Sequence, residues 1–218
     1  MTLVLYEHPF ASYCWKALIA LHELELPFER RFVGGAAERD QLAELWPIGS
    51  IPVLVDDAAG LTLPESTTIV EYLDGLGTAR LVPRDKEVAL RARLWDRVVD
   101  GHVTTPMQKI VLDSLRPEGR SDPEGVAEAR ASLDRAYALL DEHLGGGWMA
   151  GPGFTLADCA AAPALFYGRV VHRWDEGALA SLTRYFTALM ERPSVVRVVD
   201  EAREHRHLFP LPWPDHVE

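Results

Sequence analysis

Cysteine is almost absent: Cys14 and Cys159 are the only two in 218 residues, and they are far apart. That pattern excludes a disulfide framework and makes a reducing compartment, the cytoplasm, the expected location. Basic residues are also few, with Lys+Arg at 22 against Asp+Glu at 33 and a formal net charge of -11. Such a field disfavours broad binding to nucleic acid or to an anionic membrane surface. No uncharged apolar run reaches the ~20 residues of a membrane span. The start, Met-Thr-Leu-Val-Leu-Tyr-Glu-His, has no basic region ahead of a long apolar run, so no signal peptide is expected. The histidines show no His-Glu-x-x-His spacing, and no metal is expected. What is present is ordinary: 48% hydrophobic and 25% charged residues, enough for one large domain or two small ones.

The most informative stretch runs from Ser50 to Thr68. Val53–Val55 reads as a short strand, Asp56–Gly60 as a turn and Leu61–Leu63 as a second strand. Pro64-Glu65-Ser66 then opens a helix with Ile69, Val70, Tyr72 and Leu73 on one face. A helix start offers free N–H groups and the positive end of the dipole, which suits a carboxylate. The Ser66 hydroxyl adds a donor, and Glu65 can take an ammonium. If Ile51–Pro52 is cis, the Ile51 backbone turns outward and can pair with an extended peptide. Taken singly, each marker has a plainer reading as a strand start or a helix cap.

Together, Ile-Pro-Val-Leu, the hairpin, Pro-Glu-Ser and the helix resemble the glutathione-binding half of the cytosolic glutathione transferase family. The resemblance implies a thioredoxin-like α/β domain over 1–76, a linker over 77–86 and an all-helical domain over 87–218. It implies that Ile51 and Pro52 pair with the cysteinyl backbone of glutathione, and that Glu65 and Ser66 hold its γ-glutamyl end. The elements read in thioredoxin-like order, β-α-β-α-β-β-α, beginning with Leu3–Tyr6 and a helix from Tyr13 on which Lys16 and Glu23 point outward. The two βα units imply parallel pairing.

The loop Pro9-Phe10-Ala11-Ser12-Tyr13-Cys14-Trp15-Lys16 is similar to the serine-bearing loops of theta- and zeta-like transferases, bacterial relatives among them. Set against the zeta pattern Ser-Ser-Cys-Ser-Trp-Arg, Ala11 replaces the first serine and Ser12 the second. The first is the one usually credited with holding the thiol as thiolate, so the resemblance passes that role to Ser12, with Tyr13 and Cys14 as alternates. Against the glutaredoxin pattern Cys-Pro-Tyr-Cys, the nucleophilic cysteine falls on Ala11, which leaves no dithiol mechanism. Tyr6 and His8 are nearby polar groups with plain readings as a core tyrosine and a loop histidine.

Beyond Gly75–Arg84 the patterns are helical. A helix from Glu87 to about Asp113 is expected to kink at Pro106, and Val126–Leu144 is strongly amphipathic. Thr155 and Asp158 form a capping box, with Phe154 placed to staple onto Cys159. Two more helices follow, and the Pro210-Leu-Pro-Trp-Pro-Asp run cannot be helical. The second substrate implied is a small apolar electrophile against Phe10, Trp95, His102, Met107 and Tyr167, each of which is also a candidate core residue. The resemblance implies conjugation or thiol-assisted isomerisation, as in detoxification, by a homodimer. Two alternatives stay open: a non-catalytic interaction module, which Ala11 favours, and a Cys14-dependent thiol oxidoreductase.

Overall fold

β1 spans Leu3–Glu7 and α1 spans Ser12–Glu23. β2 (Phe28–Phe32), α2 (Ala36–Leu45), β3 (Val53–Asp56), β4 (Leu61–Pro64) and α3 (Ser66–Asp74) complete the sheet layer. The structure, a computed structural model, describes residues 3–212. Its four strands form one sheet in the order β2-β1-β3-β4. β1 and β2 are parallel, with Leu3 opposite Phe28, as a βα crossover requires. The second βα unit departs from the parallel expectation, because β3 runs antiparallel to β1 with Leu5 opposite Leu54. α2 buries only Leu42, so it lacks the apolar face that a crossover helix lays across a sheet.

α1 is buried without a break from Cys14 to Leu21, because it packs against α3 and against two helices of the second half, Leu156–Val171 and Pro193–Arg203. This corrects two expectations. Lys16 is 0% exposed rather than outward. Its ammonium lies 2.5 Å from Asp96 Oδ1, 2.9 Å from Asp100 Oδ2 and 2.8 Å from Thr67 Oγ1. Glu23 is half-buried and accepts from Arg192 at 2.8 and 2.5 Å and from Ser194 Oγ at 2.5 Å. The missing signal was the run Ala17-Leu-Ile-Ala-Leu21, which leaves the helix no polar face.

The second half is helical: α4 (Lys86–Val99), α5 (Thr105–Ser114), α6 (Pro123–His143), α7 (Leu156–Val171), α8 (Ala180–Met190) and α9 (Pro193–Arg203). The single helix expected over 87–113 is two, joined by a π-helical turn at Asp100–Thr104. Pro106 has no N–H for the ladder, and the turn ahead of it widens. Thr105 closes that turn, with its N–H and its Oγ1 (2.9 Å) both reaching the Asp100 carbonyl. The capping box of α7 is present, whereas Phe154 packs edge-on against Trp148 and under the Arg192 guanidinium. A short 3-10 turn, Arg206–Leu208, leads into the tail, where Trp213, Pro214 and Asp215 lie outside the described residues. Among the described residues no helix is long and apolar enough to cross a membrane.

Candidate active site

Two cavities flank the start of α1, one bordered by Tyr13 and the other by Ser12. The first is a polar cleft of about 320 Å³ bordered by Tyr13, Ile51, Pro52, Glu65, Ser66 and Arg97. All four residues expected to hold glutathione therefore lie together. The Ile51–Pro52 bond is cis. Glu65 has φ +68° and ψ 112°, a conformation that L-residues rarely adopt and that costs about 1–3 kcal/mol where it persists. It swings the chain into α3, whose first ladder bond runs from Ile69 N–H to Glu65 C=O at 3.0 Å. The N–H groups of Ser66, Thr67 and Thr68 precede that bond, at the positive end of the helix.

Charge at the cleft is set by the buried Lys16 cluster. Asp100 borders the cleft, and burial pushes its carboxyl above the usual range despite the opposing pull of Lys16. Arg97 bonds Asp100 Oδ2 at 2.5 Å and Thr67 Oγ1 at 3.1 Å, and it is the cation among the residues bordering the cleft. Burial, then the Asp100 charge, pushes the Tyr13 phenol up to about 12. Tyr13 thus remains a protonated donor at neutral pH.

The second cavity, about 220 Å³, is walled by Phe10, Met107, Val111, Tyr167 and Phe209, with Ser12 and Gln108 as polar members. Phe209 stands edge-on to Phe10 at 5.1 Å and nearly parallel to Tyr167 at 6.0 Å, so the tail forms part of the wall. Ser12 Oγ accepts from Gln108 Nε2 at 3.4 Å, which leaves the Ser12 O–H free to donate elsewhere. α1 has Ala11 at its N-cap and no side-chain cap. The Ser12 and Tyr13 N–H groups precede the first ladder bonds, which Cys14 and Trp15 make to the Ala11 carbonyl.

Of the five residues proposed to meet a second substrate, Phe10, Met107 and Tyr167 line this cavity. Trp95 and His102 do not. Trp95 stacks on the His143 ring at 3.7 Å, and His102 is exposed on the π-helical turn. Both were placed from a single continuous helix, and the π turn changes which face each presents. Cys14 is wholly buried, and burial pushes its thiol far above the usual range, so it is neither accessible nor a thiolate. Tyr6 packs with Val33, Leu42 and Val53. His8 Nδ1 accepts from Phe10 N–H at 3.2 Å, and burial lowers its pKa, so it is neutral at pH 7. Gln108, Arg97 and Phe209 escaped the sequence reading. Gln108 directly follows Met107, and that adjacency was the available clue.

A four-stranded sheet with a cis-proline loop, joined to a helical bundle across such a cleft, defines the glutathione-transferase fold. Residues 5–78 match the glutathione S-transferase N-terminal domain and residues 123–188 the C-terminal domain. Glutathione S-transferase GstB of Escherichia coli K12 is 30% identical over 191 residues, covering 84% of this chain and 91% of that protein. A probable maleylacetoacetate isomerase of Vibrio cholerae is 29% identical over 178 residues, 76% of this chain and 81% of that protein. A glutathione S-transferase from Methylobacillus flagellatus KT, crystallised with GSH bound, superposes with TM-score 0.81 at 28% identity, covering 90% of this chain and 98% of that one. The chain belongs to the glutathione S-transferase family.

Proposed function

We propose that the protein lays glutathione along the polar cleft and adds its thiol to a small apolar electrophile in the adjoining cavity. The observation that carries this reading is that an apolar cavity bordered by Ser12 and a polar cleft bordered by Tyr13 flank the uncapped start of α1. The Ile51–Pro52 backbone pairs with the cysteinyl unit, Ser66 and the α3 N–H groups take the γ-glutamyl carboxylate, and Glu65 takes the ammonium. The sulfur sits at the start of α1, where backbone N–H groups and the Ser12 O–H favour the anion. An unperturbed thiol titrates near ~8.5, so each such donor raises the thiolate fraction at neutral pH. The glutathione-bound Methylobacillus relative supports glutathione as the ligand, and the isomerase name of the Vibrio relative supports thiol-assisted isomerisation as a companion reaction.

Calorimetry with glutathione tests this. Ser66→Ala is expected to weaken binding by about 1.5–3 kcal/mol, the range for a hydrogen bond to a charged group. Ser12→Ala is expected to leave affinity near wild type while raising the pKa of the bound thiol, read from thiolate absorbance. Equal affinity in Ser66→Ala removes that residue from the site. Wild-type protein that binds no glutathione supports the second reading, an interaction module, which the loss of a serine at Ala11 favours.

The same reading makes the protein a homodimer. Leu90 and Leu94, one turn apart on α4, are 69% and 55% exposed, and Ile48 in the loop after α2 is 72% exposed. A second copy would cover such apolar surface. Light scattering at micromolar concentration is expected to report twice the chain mass of 24.3 kDa, and a monomer mass refutes it.

A further inference from the structure

We propose that His8 is a pH-sensitive positioning residue: its neutral Nδ1 holds the Phe10 backbone, and with it one wall of the apolar cavity, and a proton on that nitrogen releases the wall. This rests on the glutathione-adding reading above. The loop from His8 to Ala11 leads into α1, and two of its ties involve no titratable group. Ala11 N–H donates to the His8 carbonyl at 3.0 Å, and Trp15 Nε1 donates to the Pro9 carbonyl at 2.5 Å. The Phe10 N–H is held differently. It donates to His8 Nδ1 at 3.2 Å, and a ring nitrogen accepts only while it carries no proton.

Phe10 borders the apolar cavity beside Ser12 and stands edge-on to Phe209 at 5.1 Å. It also borders a more open cavity of about 400 Å³, together with His8, Arg39, Ile51 and Leu208. A proton on Nδ1 would set two N–H donors against each other with no acceptor between them, so Phe10 and the loop must shift. The charged groups around His8 offer such a proton no partner. The His8 ring packs at 5.2 Å on Phe32, whose ring lies 6.4 Å from His205, and His207 follows at 6.5 Å from His205. Arg39 of α2 borders the same open cavity. The Glu7 carboxylate, next in the chain, is paired with Arg30 at 3.1 Å, and Arg30 in turn bonds Glu201 of α9 at 2.6 Å.

Burial, then the His205 charge, lowers the His8 pKa below its ordinary value of about 6.5. A histidine whose folded pKa is depressed makes its full contribution above the ordinary value and loses it as pH falls through the folded one. The wall is therefore intact at neutral pH and released in acid. The effect is separate from the ionisation of the glutathione thiol, because it acts on the apolar cavity and not on the sulfur.

S-methylglutathione and S-hexylglutathione have no thiol to ionise and differ only in the chain that enters the apolar cavity. The ratio of their affinities by calorimetry therefore reads the wall alone. From pH 8 to pH 5 the wild-type preference for the hexyl compound is expected to fall roughly 3–10-fold, the scale for one backbone hydrogen bond. In His8→Asn the amide oxygen accepts from the N–H two residues on and does not titrate, so the preference should match wild type at pH 8 and stay level in acid. His8→Leu offers no acceptor and should show the reduced preference at every pH. His205→Asn removes an opposing charge and should move the fall to higher pH. A wild-type ratio that stays level from pH 8 to pH 5 overturns the proposal, as does a fall that persists in His8→Asn. A His8→Leu ratio equal to wild type at pH 8 overturns it too, and so does a fall that vanishes in His205→Asn, which would assign the titration to His205. Wild type that binds S-methylglutathione yet gives any of these results sinks this proposal alone. Failure to bind either compound at pH 8 sinks the functional reading with it.

Discussion

Lys16→Met should lower stability by about 3–5 kcal/mol, the cost of breaking a buried ion pair from one side. The ammonium of Lys16 is enclosed and touches carboxylates from α4 and from the π turn, together with Thr67 of α3. Removing it leaves the buried carboxylates of Asp96 and Asp100 with the largely exposed Arg97 as their remaining cation. The deficit should depend on pH, and the sign follows from Asp100. Its folded pKa already lies above the ordinary carboxylate range through burial, and loss of the cation raises it further. A carboxyl with a raised folded pKa favours the native state most below its unfolded pKa, and that stability is lost as pH rises through the folded value. The variant should therefore come closest to wild type in acid and fall away towards neutral pH. Urea midpoints at several pH values measure this, and a Lys16→Met midpoint equal to wild type at pH 7 would refute it. Adding Asp96→Asn should recover part of the loss.

Asp158→Ala should cost about 4 kcal/mol, near the upper end for single substitutions. Asp158 is fully buried and accepts four hydrogen bonds. Met149 N–H (2.8 Å) and Tyr185 OH (2.6 Å) reach Oδ1, while Thr155 N–H (2.8 Å) and Thr155 Oγ1 (2.9 Å) reach Oδ2. Alanine leaves those buried donors unsatisfied and removes the Asp158 half of the capping box that opens α7. Asp158→Asn keeps one acceptor oxygen but turns an NH₂ towards donors, so it should fall between. Thermal melts of the three proteins decide the order, and an alanine variant within about 1 kcal/mol of wild type would show that the network is not what holds α7.

Much of this site is visible in the sequence because it is local. Pro52, Glu65 and Ser66 belong to one hairpin and the helix after it, so spacing alone orders them along the chain. Thr155 and Asp158 are three residues apart, and a capping box needs no distant partner. Short-range backbone chemistry determined these features, and with them the order of strands and helices.

The tertiary structure decided what depends on contacts across the chain. Lys16 reads as a surface residue until Asp100, 84 positions later, is folded against it. Ser12 has a hydroxyl in any conformation, but only the packing of α5 against α7, which itself packs on α1, sets Gln108, 96 positions away, as its donor. Trp95 and His102 fit the cavity on paper because a helix of constant pitch was assumed, and the π turn before Pro106 removed them. Phe209 and Tyr167 become one wall only when the tail returns over α7. Hydrophobic periodicity reports which face of an element is buried. It carries no information about which other element covers that face, and at this site the covering elements set which side chains line each cavity.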